Sequence, residues 1–110
     1  MALQEKLLGQ ARPGSTTAAT LYTCPASTTA IIKNITISNT TAGALTYRLF
    51  ATSTGSTYDE TTALAWDISL AAGATDVFDS FMALTAAGTL GVRTSSASGL
   101  TFTAFGAEIT

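Results

Sequence analysis

Through most of this 110-residue chain, apolar residues recur at every second position, in runs cut by clusters of Gly, Asn, Ser and Ala. A two-residue period puts successive side chains on opposite faces of a strand, and turn signals spaced about eight to twelve residues apart are those of a β-sandwich or barrel. Composition points the same way. Thr (22) and Ala (20) are the most frequent residues, and β-branched Thr is stiff at χ1 and suited to a pleated surface. The expected fold is therefore all-β, a single antiparallel β-sandwich of seven to eight strands. The length is that of one compact domain. At 46% hydrophobic and 11% charged, against a usual charged share of about a quarter, the chain is expected to fold rather than to serve as a solvated tail.

The periodicity assigns faces. Ala30 to Ser38 reads as a strand with Ile31, Lys33, Ile35 and Ile37 on one face and Ile32, Asn34 and Thr36 on the other. Leu45 to Ala51 sets Leu45, Tyr47 and Leu49 against Thr46, Arg48 and Phe50. Thr52 to Thr62 is the longest polar stretch and reads as a surface loop. In the next strand Leu64, Trp66, Ile68 and Leu70 share the face that enters the core, with Trp66 as its anchor. Thr75 to Met82 places Val77, Asp79 and Phe81 opposite Asp76, Phe78 and Ser80. Leu90 and Val92 point inward on a short strand. In Leu100 to Ile109, Phe102 and Ala104 oppose Thr103, Phe105, Ala107 and Ile109.

Residues 1–19 read differently, as an N-terminal arm and connector ahead of a sandwich domain over residues 20–110. Leu3, Leu7 and Leu8, interspersed with Gln4, Glu5 and Lys6, suit a helical turn, an eighth strand, or an arm that docks on a neighbouring subunit. Arg12-Pro13-Gly14 and the small residues after it form a connector.

What is missing narrows function. With no His and one Cys, the chain cannot build a Ser-His-Asp triad, a Cys-His dyad, a His-based metal site or a four-Cys zinc site. No enzyme activity, cofactor or metal is expected. Cys24 cannot form an intrachain disulfide, and nothing near it in sequence lowers its pKa, so an inert thiol is expected. A net charge of −2 with a pI near 4.7 argues against nucleic acid and anionic membranes as partners. The segment MALQEKLLGQ has neither the apolar run of a secretory signal nor the length of a membrane span, so assembly in a cytosol is expected.

The remaining candidates are weighed by their chemistry. Asp59, Glu60, Asp67, Asp76 and Asp79 are the only acidic concentration, but their spacing is not that of a calcium loop, and solvated charges explain them. Trp66, Tyr47 and Tyr58 would suit a carbohydrate-binding face, whereas Trp66 and Tyr47 fall in core register. Arg48, Arg93 and Lys33 lie on strands, either blunting edges or contacting an acidic partner. Asn34-Ile35-Thr36 and Asn39-Thr40-Thr41 match the glycosylation acceptor pattern by chance in so Thr-rich a chain.

The runs Ala19-Thr20-Leu21-Tyr22-Thr23-Cys24-Pro25-Ala26 and Thr29 to Thr40 (TAIIKNITISNT), the turn Leu70-Ala71-Ala72-Gly73-Ala74-Thr75, and the closing Gly106-Ala107-Glu108-Ile109-Thr110 resemble small virion structural proteins of tailed bacteriophages. The resemblance runs from about Leu7 onward and consists of turn and strand phrases rather than a site. It implies a jelly-roll-like sandwich on the virion. Within that group the small, acidic, self-contained chain is most similar to capsid decoration (cement) proteins, which bridge neighbouring major capsid proteins, commonly as homotrimers on the capsid surface. The resemblance also fits a tail, neck or fibre accessory protein. On this reading Leu3, Leu7 and Leu8 make an arm contact, Phe50, Phe78 and Phe105 form a second apolar face buried by trimerisation, and Arg48 and Arg93 contribute ion pairs between subunits.

Overall fold

The computed structural model describes residues 2–79 and 82–110. Those residues form nine strands and no helix: β1 (Leu3–Ala11), β2 (Ala19–Thr23), β3 (Thr29–Asn39), β4 (Leu45–Thr52), β5 (Ala63–Leu70), β6 (Thr75–Phe78), β7 (Met82–Leu84), β8 (Thr89–Thr94) and β9 (Leu100–Ile109). One sheet runs β1-β9-β3, and β3 then pairs with both β6 and β7 along its far edge; the second runs β2-β8-β4-β5. All pairings are antiparallel. Because β6 and β7 occupy successive stretches of the same β3 edge, they act as one interrupted strand. The chain crosses repeatedly between two four-position sheets, which is a jelly roll.

The core lies between the sheets. Ile32, Ile35 and Ile37 of β3, Tyr47 and Leu49 of β4, Leu90 and Val92 of β8, and Leu100, Phe102 and Ala104 of β9 form its continuous cluster. Phe102 meets Tyr47 edge-on, with ring centroids 6.4 Å apart, a favoured aromatic geometry. The expected faces of β4, β8 and β9 are those found.

Two strands depart from simple alternation, and both do so through bulges. On β3 the ladder to β9 passes from Ile32↔Gly106 to Asn34↔Phe105, leaving Lys33 as an extra residue. A one-residue insertion flips every later side chain. Ile32, not Ile31, therefore joins Ile35 and Ile37 in the core. On β5 two register shifts oppose β4, and Asp67 has a left-handed φ of 51°. Trp66 consequently leaves the core face and is 38% exposed on the outside of the four-stranded sheet, correcting the expectation that it anchors the core.

Residues 3–11 take the extra-strand alternative, with β1 paired to β9 from Leu3↔Ile109 to Ala11↔Phe102. They complete the sandwich rather than extend from it. Leu8 is the bulged residue and turns inward to pack against the core cluster. The connector is tied down as well: Arg12 Nε donates to the Ser98 carbonyl (2.8 Å) and the Ser98 N–H donates to the Pro13 carbonyl (2.8 Å).

At the end of β3, Asn39 is almost wholly buried. Its Nδ2 donates to the carbonyls of Gly43 (2.9 Å) and Leu70 (3.0 Å), and its Oδ1 accepts from the Thr41 N–H (2.9 Å) and hydroxyl (2.7 Å). One side chain thus stitches the β3–β4 turn to the end of β5. This structural engagement agrees with reading the Asn39 acceptor pattern as a chance match.

Candidate interaction surfaces

Leu3, Leu7 and Phe105 all lie on the outer face of the five-stranded sheet. Leu7 sits opposite Phe105 and Leu3 opposite Ile109, and the three are 64%, 48% and 39% exposed respectively. Beside them Lys33 reaches across β9 to form an ion pair with Glu5, which holds the Glu5 carboxyl below its ordinary pKa. Val77 of β6 is a further large exposed apolar residue on this face. On this face exposed apolar side chains alternate with the Glu5–Lys33 ion pair, which lies between Leu3 and the Leu7–Phe105 pair.

The other expected interface residues are not on it. Phe78 points inward and packs against the core cluster. Phe50 lies on the outer face of the opposite sheet but is only 2% exposed, because its own chain covers it. The loop after β4 folds back so that Tyr58 lies 5.5 Å and Trp66 6.2 Å from the Phe50 ring, centroid to centroid. Phe50, Phe78 and Phe105 therefore share no face, and the expected second apolar face does not exist as such. Phe81 and Ser80 fall outside the described residues.

The loop is fixed by contacts the periodicity cannot show. The Tyr58 ring rests directly on Gly91, where a Cβ would meet its Cε1 at 2.5 Å. The Tyr58 hydroxyl donates to Thr89 Oγ1 (3.0 Å) and lies 2.7 Å from Thr20 Oγ1. A glycine facing outward in mid-strand is the sequence signal that something approaches the backbone closely there.

Arg48 and Arg93 are directly opposite each other across β4 and β8, an arrangement that repels. Asp67 relieves it. Its two carboxylate oxygens accept from Arg48 Nε (2.6 Å) and Nη2 (3.0 Å). Hydrogen bonding from Arg48 is the main reason its pKa is lowered, with the charge of Arg93 adding to the effect. Arg93 Nε donates instead to the Thr16 carbonyl (2.8 Å). Both guanidiniums are thus engaged within the chain. The Arg48 guanidinium also stacks on the Trp66 ring, 3.6 Å from its centre, so that face of the indole is not open to a sugar.

At the mouth of the sandwich near the start of β1, Glu108 accepts from the Tyr22 hydroxyl (2.5 Å) and pairs with Lys6 (2.6 Å). Lys6 first and Tyr22 second depress its pKa. Desolvation and then Glu108 raise the Tyr22 phenol far above its ordinary range. Cys24 is buried, and burial pushes its thiol pKa up, the opposite of an activated nucleophile. Asp76 accepts from the Tyr47 hydroxyl (3.0 Å), while Asp59 caps its own turn through the Thr61 N–H and hydroxyl. Among the described residues no three His, Cys, Asp or Glu side chains converge as a metal set. A shallow hollow of about 180 Å³ bordered by Glu60, Ala63 and Trp66 has no such set around it.

No protein-family model matches the sequence, and no curated protein does. The fold does have solved counterparts, among them chains of infectious bursal disease virus. The structure of the Gx strain of infectious bursal disease virus aligns with a TM-score of 0.55 at 15% identity, over 97% of this chain and 32% of that one. The T13 particle of the same virus aligns at 0.54 and 15%, over 96% and 30%, and its VP2 subviral particle at 0.52 and 16%, over 96% and 32%. This chain spans about a third of the length of those chains. At such identities the likeness is one of fold, and the fold it shares with these particle chains is the two-sheet sandwich described above.

Proposed function

We propose that this protein is a non-enzymatic structural component of a bacteriophage particle, a decoration (cement) protein that binds the outer capsid surface and bridges neighbouring major capsid proteins. The observation that carries the reading is the set of exposed apolar side chains, Leu3, Leu7 and Phe105, on the outer face of a sandwich whose fold is also found in virus particle chains. That face is the adhesive one. It seats on the shell as part of a homotrimer, and many identical copies sum through multivalency, so each contact need be only modest. Assembly takes place in the host cytoplasm.

The test is to add purified protein to shells of the encoding phage that lack it, and to measure bound copies per particle by quantitative mass spectrometry. Saturation at hundreds of copies, lost in the Leu7→Lys and Phe105→Lys variants, is the expected result. A dozen copies or fewer would mean a tail, neck or fibre component instead. No binding to any part of the particle would overturn the reading.

A further inference from the structure

A jelly roll has four sheet edges, and an unguarded edge is a template for another strand. Three of the four are guarded here. β2 is five residues long with a register shift at Leu21. β5 carries two shifts and the left-handed Asp67. β6 and β7, with four and three residues, divide the third edge between them. β1 is different, running in unbroken register from Leu3 to Leu7 before the bulge at Leu8.

Hydrogen-bond parity shows which groups of β1 are free. Ala2 and Thr110 exchange both backbone bonds (3.1 and 2.9 Å). In an antiparallel ladder bonded and non-bonded pairs alternate, so Gln4 and Lys6 also bond to β9, while the N–H and C=O groups of Leu3, Glu5 and Leu7 point away from the sheet. Their side chains lie on the outer face with Phe105.

We propose that β1 pairs antiparallel with β1 of a second copy of this chain, about a two-fold axis through Glu5. The row of free groups calls for an extended strand, and β1 is complementary to itself. This register sets Leu3 against the partner copy's Leu7 and Leu7 against its Leu3, with two bonds per pair. Apolar side chains thereby cover each other across the junction. The two Glu5 residues fall opposite one another, and the ion pair to Lys33 draws each carboxylate back over its own sheet. The bulge at Leu8 ends the pairing, and beyond it β2 closes the edge, since a Cβ at Gly9 would collide with the Leu21 carbonyl. The contact joins two sheets into one and brings two sets of exposed Leu3, Leu7 and Phe105 side chains onto a single adhesive surface. Being isologous, the contact closes with two copies and propagates no further. It is a property of the purified protein and does not depend on the particle reading.

The test uses the full chain. Sedimentation equilibrium over a concentration series into the millimolar range is expected to show an even number of copies at the top of the series. Glu5→Pro removes an N–H that the protein's own ladder does not use and should halve that mass, whereas Glu5→Ala, which keeps the N–H, should not. Independently, Glu5→Cys should cross-link to its partner copy through a short bis-maleimide, because bonded antiparallel pairs have Cα atoms about 5.5 Å apart with side chains on one face. Gln10→Cys, beyond the bulge, should not cross-link, and the buried Cys24 leaves the background quiet. An odd mass at every concentration, a mass indifferent to Glu5→Pro, or no cross-link at Glu5→Cys would each overturn the pairing.

Discussion

The Arg48 guanidinium lies 3.6 Å from the centre of the Trp66 ring and at the same time grips both carboxylate oxygens of Asp67, the next residue. Only a β5 strand bent at Asp67, with φ of 51°, brings the ring and the carboxylate to one guanidinium. The planar fork of Arg is what allows both contacts at once. Trp66 is the sole tryptophan, so its fluorescence reads this stack directly. Arg48→Ala should uncover the indole, shift its emission to the red and lower the melting temperature. Arg48→Lys should recover little of either, because an ammonium cannot make the bidentate pair. Trp66→Ala, which also uncovers Phe50, should cost about 2 kcal/mol in urea unfolding.

Gly91 carries a second prediction. Its missing side chain is the floor on which Tyr58 lies, and Tyr58 covers Phe50. Gly91→Ala should push the ring off, expose Phe50 and destabilise by about 1–3 kcal/mol, as overpacking does elsewhere. In the Tyr58→Ala background the ring is absent, so adding the Gly91 methyl should then cost much less. Equal costs in the two backgrounds, measured as a double-mutant cycle, would show that Tyr58 does not rest there.

The strands that carry no extra residue of their own were legible from alternation alone. The outward set Thr103, Phe105, Ala107 and Ile109 and the inward pair Leu90 and Val92 follow from a two-residue period. Where the alternation fails, the cause is a bulge: Lys33 reverses the phase of the isoleucines before it, and the bent β5 sends Trp66 outward. Nothing in the spacing AIIKNITIS marks Lys33 as the extra residue. Opposite it, β9 passes Gly106, where a Cβ would collide with the Ile31 carbonyl. That glycine is the sequence trace of the irregularity, visible only once the pairing is known. The cover over Phe50 was hidden for another reason, since it depends on a loop returning across the sheet. Of the expected interface residues, Leu3, Leu7 and Phe105 share one outer face because strand pairing joins positions nearly a hundred residues apart.

Asn39 should prove the most sensitive polar residue. Asn39→Ala would leave the buried Leu70 carbonyl without the Nδ2 donor and the Thr41 N–H without its acceptor, at about 2–4 kcal/mol for the pair of orphaned groups. Asn39→Asp keeps the acceptor but sets a carboxylate against the carbonyls of Gly43, Leu70 and Ala71. It should therefore be at least as damaging at neutral pH and recover partly on acidification, when the protonated acid can donate again. A neutral-pH melting temperature for Asn39→Asp equal to that of the unaltered protein would contradict this role.

Acid and alkali should unfold the protein through different groups, and the signs follow from the shifts. Glu108, held down by Lys6 and Tyr22, and Asp67, held down chiefly by Arg48, have folded pKa values below their ordinary ones. Such groups contribute stability that is present above the ordinary carboxylate pKa and lost as pH falls through the lowered one. Tyr47 moves the other way, pushed up to about 12 by burial first and by its bond to Asp76 second. Its contribution is complete below about pH 10 and is lost as pH rises through 12. Melting temperature against pH should therefore show a plateau with a fall on each side. Glu108→Gln should flatten the acid limb and, because Glu108 also helps raise the Tyr22 phenol, bring that phenol's loss to lower pH on the alkaline side. Tyr47→Phe should lower the plateau and flatten the alkaline limb alone. If Glu108→Gln left the acid limb as steep as in the unaltered protein, the assignment of the acid response to that carboxylate would fail.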